Sequence, residues 1–228
     1  MRKLLFAAFC FFSGELAFAQ LAGLAGKAKV DAFLKEMAKA QAAVRTLAAE
    51  FRQTKVSRLL QQPSVATGTF YFAAPDQVRW DYKEPRPMVV LMTSKAMVTY
   101  KPAERQAERV ELGRNQRKVF SFLSATEPLA GLSRHFSFAL RDAGEGNNYV
   151  LVLTPVTHAI KKRLRSVELA VDRKTFLPVK VTYTEADRDV TSYEFSHIVI
   201  NGSLPEGIFA LELPPGVKLT ELKLRGSE

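Results

Sequence analysis

Residues 68–82, Gly68-Thr69-Phe70-Tyr71-Phe72-Ala73-Ala74-Pro75-Asp76-Gln77-Val78-Arg79-Trp80-Asp81-Tyr82, decide the fold. Thr69 to Phe72 are β-branched or aromatic, a composition that suits a pleated strand. Pro75-Asp76 supplies turn chemistry. Beyond it the run alternates, with Val78, Trp80 and Tyr82 on one face and Arg79 and Asp81 on the other, the period of a strand buried on one side. The two runs predict an antiparallel hairpin.

The same rhythm extends in both directions. Upstream, Ala49 to Ser57 reads as a strand, followed by a polar loop at Gln61-Gln62-Pro63-Ser64 and a strand over Ala66 to Phe72. Downstream, Met88 to Thr93 and Ala96 to Tyr100 form a hairpin about Ser94-Lys95, and Arg105 to Leu112 follows. Strands resume at Arg134 to Arg141, Tyr149 to Pro155, Leu164 to Asp172, Pro178 to Glu185, Val190 to Ile200 and Ile208 to Leu213, the last ending at Pro214-Pro215-Gly216. Turn-forming residues at Asp172-Arg173-Lys174-Thr175 and Ala186-Asp187-Arg188 separate three of them. One segment, Lys27 to Leu47, instead spaces Val30, Phe33, Leu34, Met37, Ala38, Val44 and Leu47 as one stripe of an amphipathic helix. The strand rhythm breaks at Arg114 to Ser124 and Glu127 to Leu132, which read as short helices or a lid loop with Val119, Phe120, Phe122, Leu123, Leu129 and Leu132 as apolar anchors.

A meander of strands with one long helix and a helical break predicts an α+β, mainly β fold: a curved antiparallel sheet covered by helices. Thr69-Phe70-Tyr71-Phe72, Met88-Val89-Val90-Leu91-Met92 and Tyr149-Val150-Leu151-Val152-Leu153 are apolar on both faces, more than one buried face requires. Two readings stay open. The sheet has core, loops or helices on both sides, or its concave face holds an apolar cavity built from the even-numbered residues of Gln77 to Tyr82 and their neighbours.

The 228 residues carry a net charge of +10 and 47% hydrophobic residues, which excludes disorder, collagen and coiled coil. Arg2 and Lys3, the apolar run Leu4 to Phe12 and Ala17-Phe18-Ala19 before Gln20 read as a secretory signal cleaved between Ala19 and Gln20. The apolar run is far shorter than the roughly 20 residues a spanning helix needs. Cys10, the single cysteine, lies inside it, behind a Phe9 too bulky for a lipoprotein signal. Removing residues 1–19 leaves 209 residues, and with Arg2, Lys3 and Glu15 gone the charge falls from +10 to +9. The mature chain, 20–228, then reads as one domain. An exported basic chain seldom meets nucleic acid, so docking to an acidic protein, docking to anionic lipid and a merely solvated surface remain. Lys161-Lys162-Arg163-Leu164-Arg165 is the densest basic tract, a docking patch or a solvated strand start.

Catalytic sets are poor. His135, His158 and His197 lie far apart without metal-ligand spacing. There is no G-x-S-x-G elbow and no phosphate-cradling glycine loop. Glu185, Asp187 and Asp189 cluster, but on an expected hairpin tip where solvated turn residues suffice. The expectation is that the chain is not an enzyme and holds no metal.

Several segments together resemble a family. Leu47-Ala48-Ala49-Glu50-Phe51-Arg52-Gln53-Thr54, the stretch 68–82 with Pro85, Val98-Thr99-Tyr100-Lys101-Pro102, Tyr149 to Pro155 and Phe209 to Val217 resemble, in order, the LolA-like periplasmic carriers of outer-membrane lipoproteins. The family pattern is F-x-Q, then G-x-(aromatic)-x-x-x-x-P-x-x-x-R-W-x-Y-x-x-P. The resemblance implies an incomplete β-barrel whose concave apolar face, lidded by helices, binds acyl chains of a lipoprotein crossing the periplasm. It implies an inner-membrane transporter that loads the carrier and an outer-membrane receptor that unloads it, with no cofactor, no nucleic acid and a monomeric protein.

On this reading the acyl cavity takes Phe51, Phe70, Phe72, Val78, Trp80 and Tyr82 from the early strands. Val89, Leu91 and Tyr100 join them, as do Phe122, Leu123 and Tyr183. Val119 and Phe120 are lid candidates and Arg79 a latch candidate. One departure matters: many of these carriers place arginine directly before the proline of the first hairpin, where this chain has Ala74. Either Arg79 or Arg86 replaces that latch, or the cargo is another lipid, such as an acylated product or a glycolipid in a dedicated export system. A lipid- or lipoprotein-sensing module of a regulatory protein is a further class, against which stands the expectation of one domain with no second after Glu228. An acyl-ester enzyme is the last.

Overall fold

The computed structural model describes residues 21, 23–93, 95–111, 132–142 and 148–223. The expected signal with its cleavage site at Ala19 and Gln20, and the lid residues Val119, Phe120, Phe122 and Leu123, lie outside the described residues.

Twelve strands form one sheet in the order β12-β6-β5-β4-β3-β2-β1-β11-β10-β9-β8-β7. They are β1 (Thr46–Val56), β2 (Ser64–Ala73), β3 (Gln77–Glu84), β4 (Met88–Met92), β5 (Ala96–Lys101), β6 (Gln106–Glu111), β7 (Phe136–Asp142), β8 (Asn148–Pro155), β9 (Leu164–Asp172), β10 (Pro178–Glu185), β11 (Val190–Ile200) and β12 (Lys218–Lys223). Neighbours are antiparallel, as the meander predicts, except β12, which joins β6 in parallel. The end strands β12 and β7 do not pair, so the barrel stays open.

Helix α1 (Gly26–Ala42) is shorter than the spacing predicts, because the chain turns at Ala43 and enters β1 at Thr46. Its buried stripe, Phe33 and Met37, lies on the inner face of β8 to β10. There Leu151, Leu153, Val167, Val171 and Val181 form an aliphatic floor. Phe33 meets the Tyr149 ring edge-on with centroids 5.1 Å apart, and the Arg173 guanidinium lies over that same tyrosine, 4.6 Å from the ring centroid. A single turn, α2 (His158–Lys161), links β8 to β9 where no helical pattern marks the sequence.

Two C-terminal expectations are corrected. Ile208 to Leu213 is not a strand, and β12 follows the Pro214-Pro215-Gly216 stop. After β11 the chain is anchored at the β1 end, where the Asn201 side chain accepts from the Arg45 amide at 2.6 Å. It then crosses the outer face of the sheet. Arg79 on β3 donates from Nη1 to the Ile208 carbonyl at 2.7 Å, and Arg105 donates to the Pro215 carbonyl at 2.9 Å. Such an outside crossing lets the last strand arrive parallel to β6. It also accounts for the apolar outer residues of β4, beside which Arg79 sits in register with Leu91.

Candidate functional site

The inner face of β1 to β6 and β11 gathers aromatic rings. Register places Phe51 opposite Gly68, and Gly68 opposite Tyr82. A side chain at Gly68 would fall on the Asp81 carbonyl oxygen and approach the Phe51 ring to 2.7 Å. The glycine therefore lets the Phe51 ring lie across β2, where it meets Trp80 and Tyr82 edge-on, each at 4.9 Å. Trp80 in turn packs on Phe70 at 4.6 Å and Tyr193 at 5.1 Å. Trp80 on β3 and Tyr193 on β11 are three strand spacings apart, about 14 Å on a flat sheet. Their contact shows that the sheet curls and that the aromatic face is the concave one.

This placement sorts the sequence-derived residues. Phe51, Phe70, Phe72, Val78 and Trp80 are buried together, with Tyr82 packed on them. They fill the concave face by contact with one another rather than lining a wide void. Tyr183 belongs at the edge of the group, its ring stacked on Tyr193 at 6.5 Å. Val89, Leu91 and Tyr100 are corrected: Val89 pairs with Asp81 and with Tyr100, and Leu91 with Arg79, so all three face outward, away from Trp80. Arg79 is corrected as well. Its Nε lies 2.7 Å from Asp81 Oδ1 on the outer face, where it holds the C-terminal crossing and not the mouth of the cavity.

Space remains at one end of the cluster. A cavity of about 60 Å³ lies between the C-terminal end of α1 and the sheet, bounded by Gln41, Val44, Leu47, Phe70, Phe72, Leu177, Phe195 and Ile198. It is several times the roughly 10–15 Å³ that one water requires by this measure, and far too small for a whole acyl chain. Ala74 packs on the same cluster. Tyr193, Phe195, Val44, Leu177 and Ile198 belong to the site and escape the sequence reading. Ile198 reaches the cavity because β11 bulges at His197, whose φ of 50° breaks the alternation and turns the next residue inward.

The polar edge of the site is phenolic. Burial raises the Tyr193 pKa well above the ordinary phenol value of 10.0, and the neighbouring Tyr82 and Tyr183 raise it further. Burial also raises Tyr82. Both stay neutral hydrogen-bonding groups beside an apolar interior. The acidic trio of the β10–β11 turn lies elsewhere, with Lys55 Nζ 3.6 Å from Asp189 and 4.0 Å from Glu185. His197 Nδ1 is 3.1 Å from Glu50 Oε2 on the exposed surface. Among the described residues no three His, Cys, Asp or Glu side chains come together as a metal site.

An open, curled sheet whose concave face is packed with aromatic rings beside a helix-covered half defines a half-barrel. The chain belongs to the family described as outer membrane lipoprotein carrier protein LolA, whose sequence model matches residues 42–212. It is similar to the outer-membrane lipoprotein carrier protein of Dechloromonas aromatica (strain RCB), 28% identical over 177 residues that cover 75% of this chain and 79% of that one. Among solved structures, an uncharacterized conserved protein from Thermus thermophilus shares the fold with a TM-score of 0.54 and 10% identity, over 85% of this chain and 99% of that one. MucB shares it with a TM-score of 0.52 and 15% identity, over 82% of this chain and 64% of MucB.

Proposed function

We propose that the chain, after loss of residues 1–19, is a periplasmic carrier that holds the acyl chains of a lipoprotein on its concave face. On this reading it receives them from an inner-membrane transporter and delivers them to an outer-membrane receptor. The observation that carries the reading is the cluster of Phe51, Phe70, Trp80, Tyr193 and Phe195, which fills a concave face next to a small apolar cavity. Each methylene that leaves water gains about 0.8 kcal/mol, so a dozen suffice to hold a chain without any charged contact. Loading must displace rings. The aromatic cluster is a self-filled site whose side chains exchange contact with one another for contact with the guest. No step of this cycle makes or breaks a covalent bond, so the reading is of a binding protein and not an enzyme.

Ala74 supports a second reading, a carrier of a non-protein lipid. It packs on the aromatic cluster where many family members have arginine, so at that position the guest meets a methyl group in place of a cation. Mass spectrometry of what co-purifies from the periplasm separates the two: lipoproteins support the first, free or glycosylated lipid the second, and an empty protein neither. Trp80→Glu, which places a charge among the rings, should weaken uptake of a hydrophobic fluorophore about tenfold or more. Unchanged uptake by a folded Trp80→Glu protein would remove the aromatic cluster from the site.

A further inference from the structure

The end of the sheet away from the cavity carries features that the carrier reading leaves unused. The antiparallel order brings the β1–β2, β3–β4, β8–β9 and β10–β11 connections to one end, since Val56 pairs with Val190 and Glu185 with Leu164. These connections are tied into a rim. The Ala186 amide donates to the Arg163 carbonyl at 3.1 Å, joining the β10–β11 turn to the β8–β9 loop. The Lys55 contacts join β1 to the same turn.

Along this rim apolar side chains stand in water. Leu59 at the tip of the β1–β2 loop is 94% exposed, Leu60 and Val56 are exposed on the same connection, and Val156 is exposed just after β8. Cations stand on the same four connections and outnumber the exposed acids there, Glu84 and Asp187: Arg58, Arg86, Lys161, Lys162, Arg163 and Arg188 are all exposed. None of the six makes an ion pair among the described residues, whereas Asp189 and Glu185 already face Lys55. We propose that this rim docks the protein on the surface of an anionic lipid bilayer. Charge complementarity selects a surface of phosphates. The spacing selects a fluid one, because a protein partner is recognised through one packed apolar core within a polar border. Here Val56, Leu59 and Leu60 share the β1–β2 connection and Val156 stands alone after β8, a thin apolar tip with no packed core, so the leucines enter hydrocarbon while Arg58 beside them meets headgroups. No residue of the aromatic cluster takes part, so the inference stands or falls apart from the carrier reading.

Co-sedimentation of the purified chain with phosphatidylglycerol–phosphatidylcholine vesicles and with pure phosphatidylcholine vesicles, at physiological salt, tests it. Binding is expected to the anionic vesicles alone. Leu59→Ser with Leu60→Ser should lower partitioning about tenfold or more, and Lys161→Glu with Lys162→Glu should abolish it. Lys95→Glu with Lys174→Glu, at the opposite end, should leave it unchanged, and all three pairs should retain wild-type uptake of a hydrophobic fluorophore. Equal partitioning to both vesicles, partitioning to neither, or equal loss from changes at either end overturns the proposal. So does binding confined to native membranes and removed by protease, which would assign the rim to an acidic protein.

Discussion

One sheet buries its inner face in two ways. Beneath α1, Phe33, Met37, Leu151, Leu153, Val167 and Val171 are completely enclosed, aliphatic side chains of the strands meeting the helix stripe. Among the described residues, the same sheet across β1 to β6 is covered chiefly by its own rings, and Trp80, Phe72, Met92 and Val110 keep 7–9% of their surface accessible. Among the described residues the helix reaches this half through its C-terminal end, Ala40 and Gln41, and the following Val44. Aliphatic side chains locked by a helix lose every gap. Rings that meet edge to face leave spaces at their corners, and the 60 Å³ cavity is where the two halves join. Stability and capacity are therefore divided between halves of a continuous structure.

Cutting into the enclosed half should cost most. Leu153→Ala leaves a hole under the helix worth about 2–5 kcal/mol, read as a lower denaturant midpoint, while the protein that remains folded takes up fluorophore as before. A parallel loss of uptake would break the division. Gly68→Ala strikes the ring-filled half. Its methyl group meets the Asp81 carbonyl and the Phe51 ring, so about 1–3 kcal/mol of overpacking should come with altered fluorophore uptake. Arg79→Leu touches neither inner cluster. It frees the Ile208 carbonyl and loosens the crossing, and about 1 kcal/mol should be lost with faster amide exchange in β12 and unchanged uptake.

The smallest effect is one of pH. Tyr193 has a folded pKa raised above the unfolded 10.0 by burial. Folded protein keeps that proton where unfolded chain releases it, so its contribution is complete below about pH 10 and declines as pH rises beyond. Tyr193→Phe should flatten the alkaline limb of the stability profile and leave the neutral region nearly unchanged.

Which parts of this are legible follows from phase. Val78, Trp80 and Tyr82 alternate with charged residues, so their shared face is written in the sequence, and β9, β10 and β11 are readable to the residue for the same reason. Met88 to Met92 has no polar member to set the phase. A slip of one residue exchanges the faces, and only pairing with β3 shows that Val89 and Leu91 point outward. Ile208 to Leu213 has strand-like apolar content yet lies across the sheet with its carbonyl held by Arg79. In β12 the leucines at 219 and 222 are three apart, which no period of two detects. His197 hides Ile198 from the same count by inserting a bulge.

The outside crossing has a consequence for how the chain becomes a protein. β1 gains its second neighbour only when β11 is available, and β6 gains its second only with β12, the last strand of all. Both closures span more than a hundred residues, the kind of distant contact that makes folding slow. Until residue 190 or later is present, the early meander waits with one edge bare on each side. A route that delivers the chain whole and extended therefore forfeits no structure, because the N-terminal half has no finished state to reach by itself.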